Sequence, residues 1–196
     1  MILSNQGIKQ ALQDGEIQID PPPEEDQYTT SALDLFIGSE FLCWDETRFK
    51  VPGVKVELSL AEQNFQLTAA AYLKVRPNEK DGTFLFPPYA TESIHILGIT
   101  RERVHLKLGS KIAARVEGRS SLARLGLLVH LTAPTIHAGF VGNITLEMIN
   151  HGPFYLKIVP KKTRICQLIF ERLESPPEGD IKTAFQGQTK PSGAQA

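Results

Sequence analysis

The chain has 196 residues, of which 41% are hydrophobic and 22% are charged, and its formal net charge is −1. This composition predicts one globular domain with a sizeable core, and the near-neutral charge argues against nucleic acid or a membrane as a partner, so any anion site has to be local. The only cysteines, Cys43 and Cys166, lie far apart in the sequence, which excludes a disulfide framework.

The N-terminal part predicts one helix followed by an extended connector. No long apolar run stands at the start of the chain, so we expect neither a signal peptide nor a membrane span, and by default a cytoplasmic location. Residues 4–13 predict a short helix that begins near Ser4 and ends at Asp14 and Gly15, since glycine suits the end of a helix. Three prolines and three acidic residues at 21–26 predict a polar connector.

Beyond the connector the chain is rich in short segments with the alternation or composition of strands, punctuated by many of its thirteen prolines and fifteen glycines. The predicted strands are 33–37, 54–58, 71–75, 83–86, 94–99, 104–108, 112–116, 127–132, 154–159 and 164–170. Short strands at this spacing favour an all-β barrel or sandwich over alternating α and β elements.

A turn with two arginines and two serines follows Gly118. Ser120 or Ser121 can cap a short helix that runs through Arg124, and the free N–H groups at such an end attract anions. Arg119 and Arg124 can add bidentate hydrogen bonds to phosphate oxygens. The alternative is a capped surface turn whose arginines are solvated, and the turn alone does not decide between the two.

The segment 142–150 predicts a strand with one carboxylate on its polar face. Three residues on the apolar face are predicted to enter the core: Ile144, Leu146 and Met148. Glu147 shares the other face with Thr145 and has no lysine or arginine in the same strand. If that face lines a pocket, desolvation should raise the pKa of Glu147. The alternative is a glutamate at the rim of a solvated sheet face.

These segments together resemble the dCTP deaminases of the trimeric dUTPase superfamily. The resemblance is carried by residues 119–126, 130, 132–133 and 142–147, and more weakly by 31–35 and 185–188. It implies a distorted β-barrel of the dUTPase-like type with a few short helices, one domain over residues 1–196, and a C-terminal segment, 180–196, that closes over the site. It also implies a homotrimer whose sites lie between subunits, with the arginine turn from one chain and the carboxylate strand from another.

The resemblance also implies the chemistry. Glu147 would act as general acid and base in the conversion of dCTP to dUTP and ammonia, while Ser120 and the backbone carbonyl of Ala133 orient the water and the base. The triphosphate would be held by residues of the turn: Arg119, Ser121 and Arg124. Mg²⁺ would bridge its oxygens, with no metal bound by the protein itself. Zinc is not expected, because the His/Cys/Cys set of other nucleobase deaminases is missing.

The resemblance also assigns a role to Gln188, and three other positions differ from the family pattern. Gln188 stands where a glutamine contacts the base or phosphates. His137 replaces an aspartate that holds the sugar 3′-hydroxyl in deaminases and activates water in dUTPases; an imidazole can bind a hydroxyl but lacks the negative charge. Thr135 replaces an arginine and Ala184 a lysine, so that phosphate binding is weaker or is supplied by another residue such as Lys182. Without the resemblance, a single histidine near a turn such as His137 is more often a structural hydrogen-bonding residue than a catalytic one.

Three functions therefore stand open. The first and preferred one is dCTP deamination through Glu147. The second is dUTP hydrolysis, or a bifunctional reaction that forms dUMP, against which His137 argues. The third is nucleotide binding without catalysis. Of the other histidines, His130 is predicted to make a structural bond within a sheet, and His95 and His105 suggest only partial exposure.

Overall fold

The computed structural model describes residues 1–62, 64–179 and 183–195, and most of its regular structure is β-strand. Within these ranges the helices are α1 (Asn5–Gln13), α2 (Phe65–Tyr72) and α3 (Ser120–Ala123). The strands are β1 (Ile17–Asp20), β2 (Leu33–Phe36), β3 (Leu42–Trp44), β4 (Leu73–Val75), β5 (Phe84–Phe86), β6 (Ile96–Leu106), β7 (Ile112–Gly118), β8 (Leu127–Leu128), β9 (Thr135–Ile136), β10 (Val141–Asn150), β11 (Leu156–Ile158) and β12 (Arg164–Arg172).

The strands form three antiparallel sheets. The largest has the order β4-β3-β6-β10-β8, with β1 also paired to β6; the second has the order β2-β12-β7-β9, and β5 pairs with β11 in the third. In the centre of the largest sheet, β10 pairs with β6 so that Glu147 lies opposite Leu97 and Thr145 opposite Ile99. This register decides which side chains surround the carboxylate.

The apolar sides of the sheets pack together in one core. Leu146 and Met148 of β10 are fully buried and Ile144 nearly so, as their alternation predicts. They pack in a cluster with residues of the second sheet such as Leu168 and Phe170. Burial of each such side chain contributes about 1.5–3 kcal/mol relative to exposure. The core therefore fixes which face of β10 remains for Glu147.

The mainly-β class is confirmed, whereas the closed barrel is not. Across the described ranges, the three sheets do not join into a continuous ring. None of the helices described there has the length and apolar character that crossing a membrane requires; the longest, α1, has nine residues. The prediction of one domain over residues 1–196 remains a prediction, and residues 180–182 lie outside the described residues.

The helix predictions are correct in position but not in every cap. Helix α1 is confirmed, with the Ser4 hydroxyl accepting a hydrogen bond from the Gly7 amide and Gly15 at a positive φ of 68°. The prediction that Ser120 or Ser121 caps α3 is wrong. Strand β7 continues to Gly118, so Arg119 occupies the cap position without a side-chain hydrogen bond, and both serines lie inside the first turn.

Several strand predictions need correction. Residues 54–58 alternate like a strand but form no strand and are exposed. Helix α2 begins after Asn64, which caps it by accepting a hydrogen bond from the Leu67 amide. The helix extends to Tyr72 and so occupies the first two residues of the predicted strand 71–75. The predicted strands 94–99 and 104–108 are both parts of β6, and only two residues of 127–132 form a strand.

Candidate functional site

A cavity of about 400 Å³ lies against the polar face of β10. That volume is within the usual range of small-molecule sites, about 300–1,000 Å³. Its walls include three strands of the largest sheet, helix α2, β9 with the loops on either side of it, and the C-terminal segment. The strand contribution includes Trp44 of β3, Leu97 of β6, and Thr145 and Glu147 of β10. Apolar and aromatic walls with a few polar groups are typical of a binding site.

Glu147 is the carboxylate of this cavity, and it lies half-buried on the face that its alternation predicts. Burial raises the pKa of Glu147, while backbone hydrogen bonds at Glu147 and Leu131 and the nearby His130 act in the opposite direction. No salt bridge to Glu147 occurs within the described chain. A carboxyl group with a raised pKa exchanges protons more readily near neutral pH. The pocket interpretation of Glu147 is therefore supported over the solvated rim.

Four other cavity residues carry buried polar atoms for which the described residues offer no hydrogen-bond partner. These atoms are His95 Nε2, His130 Nδ1, Thr145 Oγ1 and Gln188 Oε1. A buried polar group without a partner costs about 1–3 kcal/mol, and buried polar groups in native proteins are almost always paired. A polar ligand in the cavity would remove this cost.

The C-terminal segment forms one wall of the cavity. The Gln188 side chain donates through Nε2 to the Asn143 carbonyl at 2.7 Å, and the Asn143 amide donates to the Gln188 carbonyl at 3.0 Å. Gly142 permits this approach, because a Cβ atom there would lie 3.1 Å from the Gln188 carbonyl oxygen. Phe185 packs edge-on against Phe65 of α2 at 5.6 Å. The part of the segment around Phe185 and Gln188 therefore packs against α2 and β10.

The structure brings part of the predicted site together and leaves part of it elsewhere. The predicted residues that line the cavity are Ala133, His137, Thr145, Glu147 and Gln188. The four residues of the arginine turn, Arg119, Ser120, Ser121 and Arg124, do not line it. Arg119 instead pairs with Asp34 at 3.2 Å, and the other three are exposed. One chain therefore does not place a phosphate clamp in front of the carboxylate.

The residues that depart from the family pattern lie partly inside and partly outside the cavity. Thr135 lines the cavity beside His137, but Ala184 does not; its carbonyl accepts a hydrogen bond from Gln66 at 3.0 Å. Lys182 lies outside the described residues. In the described ranges, no group of three or more His, Cys, Asp or Glu side chains is arranged to hold a metal ion.

Sequence reasoning missed several cavity residues, among them His130, His95, Trp44 and Phe65. The prediction of a structural bond for His130 is wrong, because its Nδ1 has no partner in the described structure and the residue lines the cavity. His95, Trp44 and Phe65 also line it. Among these three, only His95 gave a sequence signal, its alternation with Leu97. That alternation does not show which strand pairs with this segment. His105 is as predicted, partly exposed, with Nδ1 3.2 Å from Gln18.

The raised pKa of Glu147 predicts a pH-dependent cost in stability. An ordinary glutamate has a pKa near 4.5, so between that pH and the higher folded-state pKa the unfolded chain loses its proton while the folded chain keeps it. Stability from this group is present at low pH and is lost as the pH rises through the folded pKa. Glu147→Gln should therefore raise Tm relative to the wild type at neutral pH.

Thermal unfolding of both proteins from pH 4 to pH 8 tests this. The Tm difference between variant and wild type should grow with pH, and the comparison cancels the other buried carboxyl groups with raised pKa, those of Asp34 and Glu102. A difference that stays constant over this range would show that Glu147 is not desolvated in the folded protein.

The fold and the cavity together define a mainly antiparallel β protein with a pocket for a small polar molecule beside a half-buried carboxyl group. A family model for dCTP deaminase-like proteins matches residues 2–173. The chain belongs to this dCTP deaminase-like family.

Curated relatives and a solved structure agree with this assignment. A protein of Methanosphaera stadtmanae named "dCTP deaminase, dUMP-forming" is 37% identical over 196 residues, covering 97% of this chain and 91% of the relative. A dCTP deaminase of Rhodospirillum rubrum is 40% identical over 179 residues, covering 90% and 85%. The 2′-deoxycytidine 5′-triphosphate deaminase of Agrobacterium tumefaciens shares the fold, with a TM-score of 0.62 at 18% identity; the match covers 87% of this chain and 48% of that one.

Proposed function

We propose that this protein catalyses the hydrolytic deamination of dCTP to dUTP and ammonia. The observation that carries the proposal is the half-buried Glu147 in a cavity lined by unpartnered polar atoms. The names of the relatives from Methanosphaera stadtmanae and Rhodospirillum rubrum support the substrate class. The cytoplasmic location expected from the sequence is kept as part of the same proposal.

In the proposed reaction, water adds to C4 of the cytosine ring and ammonia leaves from the same carbon. The Glu147 carboxylate takes a proton from the attacking water and passes it to the ring nitrogen. It then takes the remaining proton of the added hydroxyl and delivers one to the leaving amino group. Such positioned proton transfer typically contributes about 10²–10⁴ in rate. The raised pKa of Glu147 favours both halves of this cycle near neutral pH.

Other cavity residues would bind and orient the nucleotide. We propose that His137 hydrogen-bonds the sugar hydroxyl, that Gln188 and Thr145 contact the base or its phosphates, and that the Ala133 carbonyl orients the water. Mg²⁺ is proposed to arrive on the triphosphate, as it usually does in phosphate sites, and the protein itself is assigned no zinc because it lacks the His/Cys/Cys set.

We propose further that the working form is a homotrimer whose sites lie between subunits. The support is that Arg119, Ser120, Ser121 and Arg124 do not line the cavity of their own chain. An exposed turn with two arginines and the free amides of a helix start could hold phosphates against the cavity of a neighbouring copy. The triphosphate would then bridge two chains.

A second candidate is the bifunctional reaction that releases dUMP. It is favoured by the name of the Methanosphaera stadtmanae relative, "dCTP deaminase, dUMP-forming". His137 argues against it, because an imidazole lacks the negative charge with which a carboxylate activates water beside phosphates. A nucleotide-binding protein without catalysis is disfavoured by the raised pKa of Glu147, since a pure binding site gains little from burying a carboxyl group.

Product analysis tests these candidates directly. The purified protein is incubated with Mg²⁺ and, separately, with dCTP, dUTP, dCMP and CTP, and the products are identified by chromatography. We expect dUTP and ammonia from dCTP, with dUTP itself unchanged. Formation of dUMP from dCTP would favour the second candidate, and return of all four nucleotides unchanged would contradict an enzymatic role on these substrates.

A further inference from the structure

His95 is a cavity residue to which the proposed mechanism gives no role. It stands one residue before β6, two residues from Leu97, which pairs with Glu147 across the sheet. His95 and Glu147 therefore project from the same face as diagonal neighbours, at about 7–8 Å between backbones, a separation that long side chains can bridge. Both line the cavity.

The imidazole of His95 has a ring nitrogen that is available to bind a ligand. Its Nε2 is buried, and the described residues give it no hydrogen-bond partner. Burial lowers the pKa of His95, so the ring is neutral at pH 7 and each nitrogen acts as either a donor or an acceptor. In the tautomer that carries its proton on Nδ1, Nε2 binds groups that donate a hydrogen bond and not groups that only accept one.

An aromatic wall stands next to this nitrogen. Trp44 follows Cys43, the residue of β3 that pairs with Ile96, so Trp44 and His95 share the face that lines the cavity. Trp44 packs edge-on against Phe65 at 6.5 Å, and Phe65 also lines the cavity. A flat apolar surface beside a hydrogen-bonding nitrogen suits a heteroaromatic base, which has an apolar face and a polar edge.

We propose that His95 is a specificity-determining residue of this site, whose Nε2 accepts a hydrogen bond from the 4-amino group of the bound pyrimidine. The inference rests on the proposed function, because the reaction requires Glu147 to stand beside C4 and His95 is its diagonal neighbour. Uracil has a carbonyl oxygen at C4, which only accepts hydrogen bonds. The same nitrogen therefore favours the substrate and disfavours the deaminated product.

Binding to a protein without turnover tests the proposal. In the Glu147→Gln background, affinities for dCTP and dUTP are measured by calorimetry, alone and combined with His95→Phe, His95→Gln or His105→Phe. We expect dCTP to bind more tightly than dUTP, and His95→Phe to lower that ratio roughly tenfold, because phenylalanine keeps a ring but no acceptor. His95→Gln offers both a carbonyl acceptor and an amide donor, so it should bind both nucleotides without restoring the ratio.

His105 provides the matched control, because it lies in β6 but does not line the cavity. His105→Phe should leave the ratio unchanged, whereas a merely structural role of His95 would weaken both nucleotides equally. A ratio that stays unchanged in a folded His95→Phe protein overturns the inference.

If the wild type fails to deaminate dCTP while the ratio still depends on His95, the proposed function fails and the inference stands. If neither nucleotide binds, both are overturned.

Discussion

Replacing Glu147 by Gln is expected to lower the turnover of dCTP by at least about 10²–10⁴-fold, the usual contribution of one positioned acid or base. Glutamine keeps the size and polarity of the side chain but cannot accept the proton of the attacking water at neutral pH. Nucleotide binding should be largely retained. The measurement is the initial rate of ammonia release from dCTP, with affinity determined on the same preparations.

The control is a glutamate of the same chemistry outside the cavity. Glu46 pairs with Lys50 at 2.6 Å on the exposed surface, so Glu46→Gln should change the rate by less than about twofold. Continued deamination by Glu147→Gln at near the wild-type rate would remove Glu147 from the mechanism. Loss of binding together with loss of rate would instead make Glu147 a binding residue.

The part of the site that lies on one strand was predictable from the sequence. Alternation separated Ile144 and Leu146 from Thr145 and Glu147 without knowledge of the partner strands, because side chains of a strand point to opposite faces. The same pattern predicted the exposed segment 54–58 as a strand, which is wrong. Alternation describes one chain segment only and does not show whether a neighbouring strand exists to pair with it.

The residues that were missed depend on pairing between distant segments. Trp44, His95 and Glu147 are brought together by the register of β3, β6 and β10, which no local pattern specifies. Phe65 reaches the cavity from α2, a helix that begins after an Asn64 cap and that was not predicted from the sequence. A histidine in a sequence also does not indicate its own role, since histidine is common both in structural hydrogen bonds and in functional sites.

Nearness in the sequence was a poor guide to nearness in space. Arg124 and Arg119 stand 23 and 28 residues before Glu147, yet β7 and β10 belong to different sheets and the turn does not line the cavity of its own chain. Asp34, which pairs with Arg119, comes from a third part of the chain. The proposed site, which takes the turn from a second copy, can be tested by combining two inactive variants.

Two inactive variants of this protein should restore each other's activity when assembled together. Glu147→Gln lacks the proton carrier, and Arg124→Ala lacks an exposed arginine of the turn; each alone should be nearly inactive. If every site takes the carboxylate from one chain and the turn from the next, about one third of the sites are intact in every trimer that contains both variants. Activity should therefore rise to roughly that fraction of the wild type.

The experiment is done by coexpressing the two variants with different affinity tags and purifying assemblies that carry both. Arg124 is preferred over Arg119 for this purpose, because Arg119 pairs with the buried Asp34 and its loss would disturb the fold. If both groups acted within one chain, each chain in the mixture would still lack one of them, and mixed assemblies would be as inactive as their parents. Recovery of activity therefore requires a site shared between chains, whereas its failure in verified mixed assemblies would place the whole site within one chain.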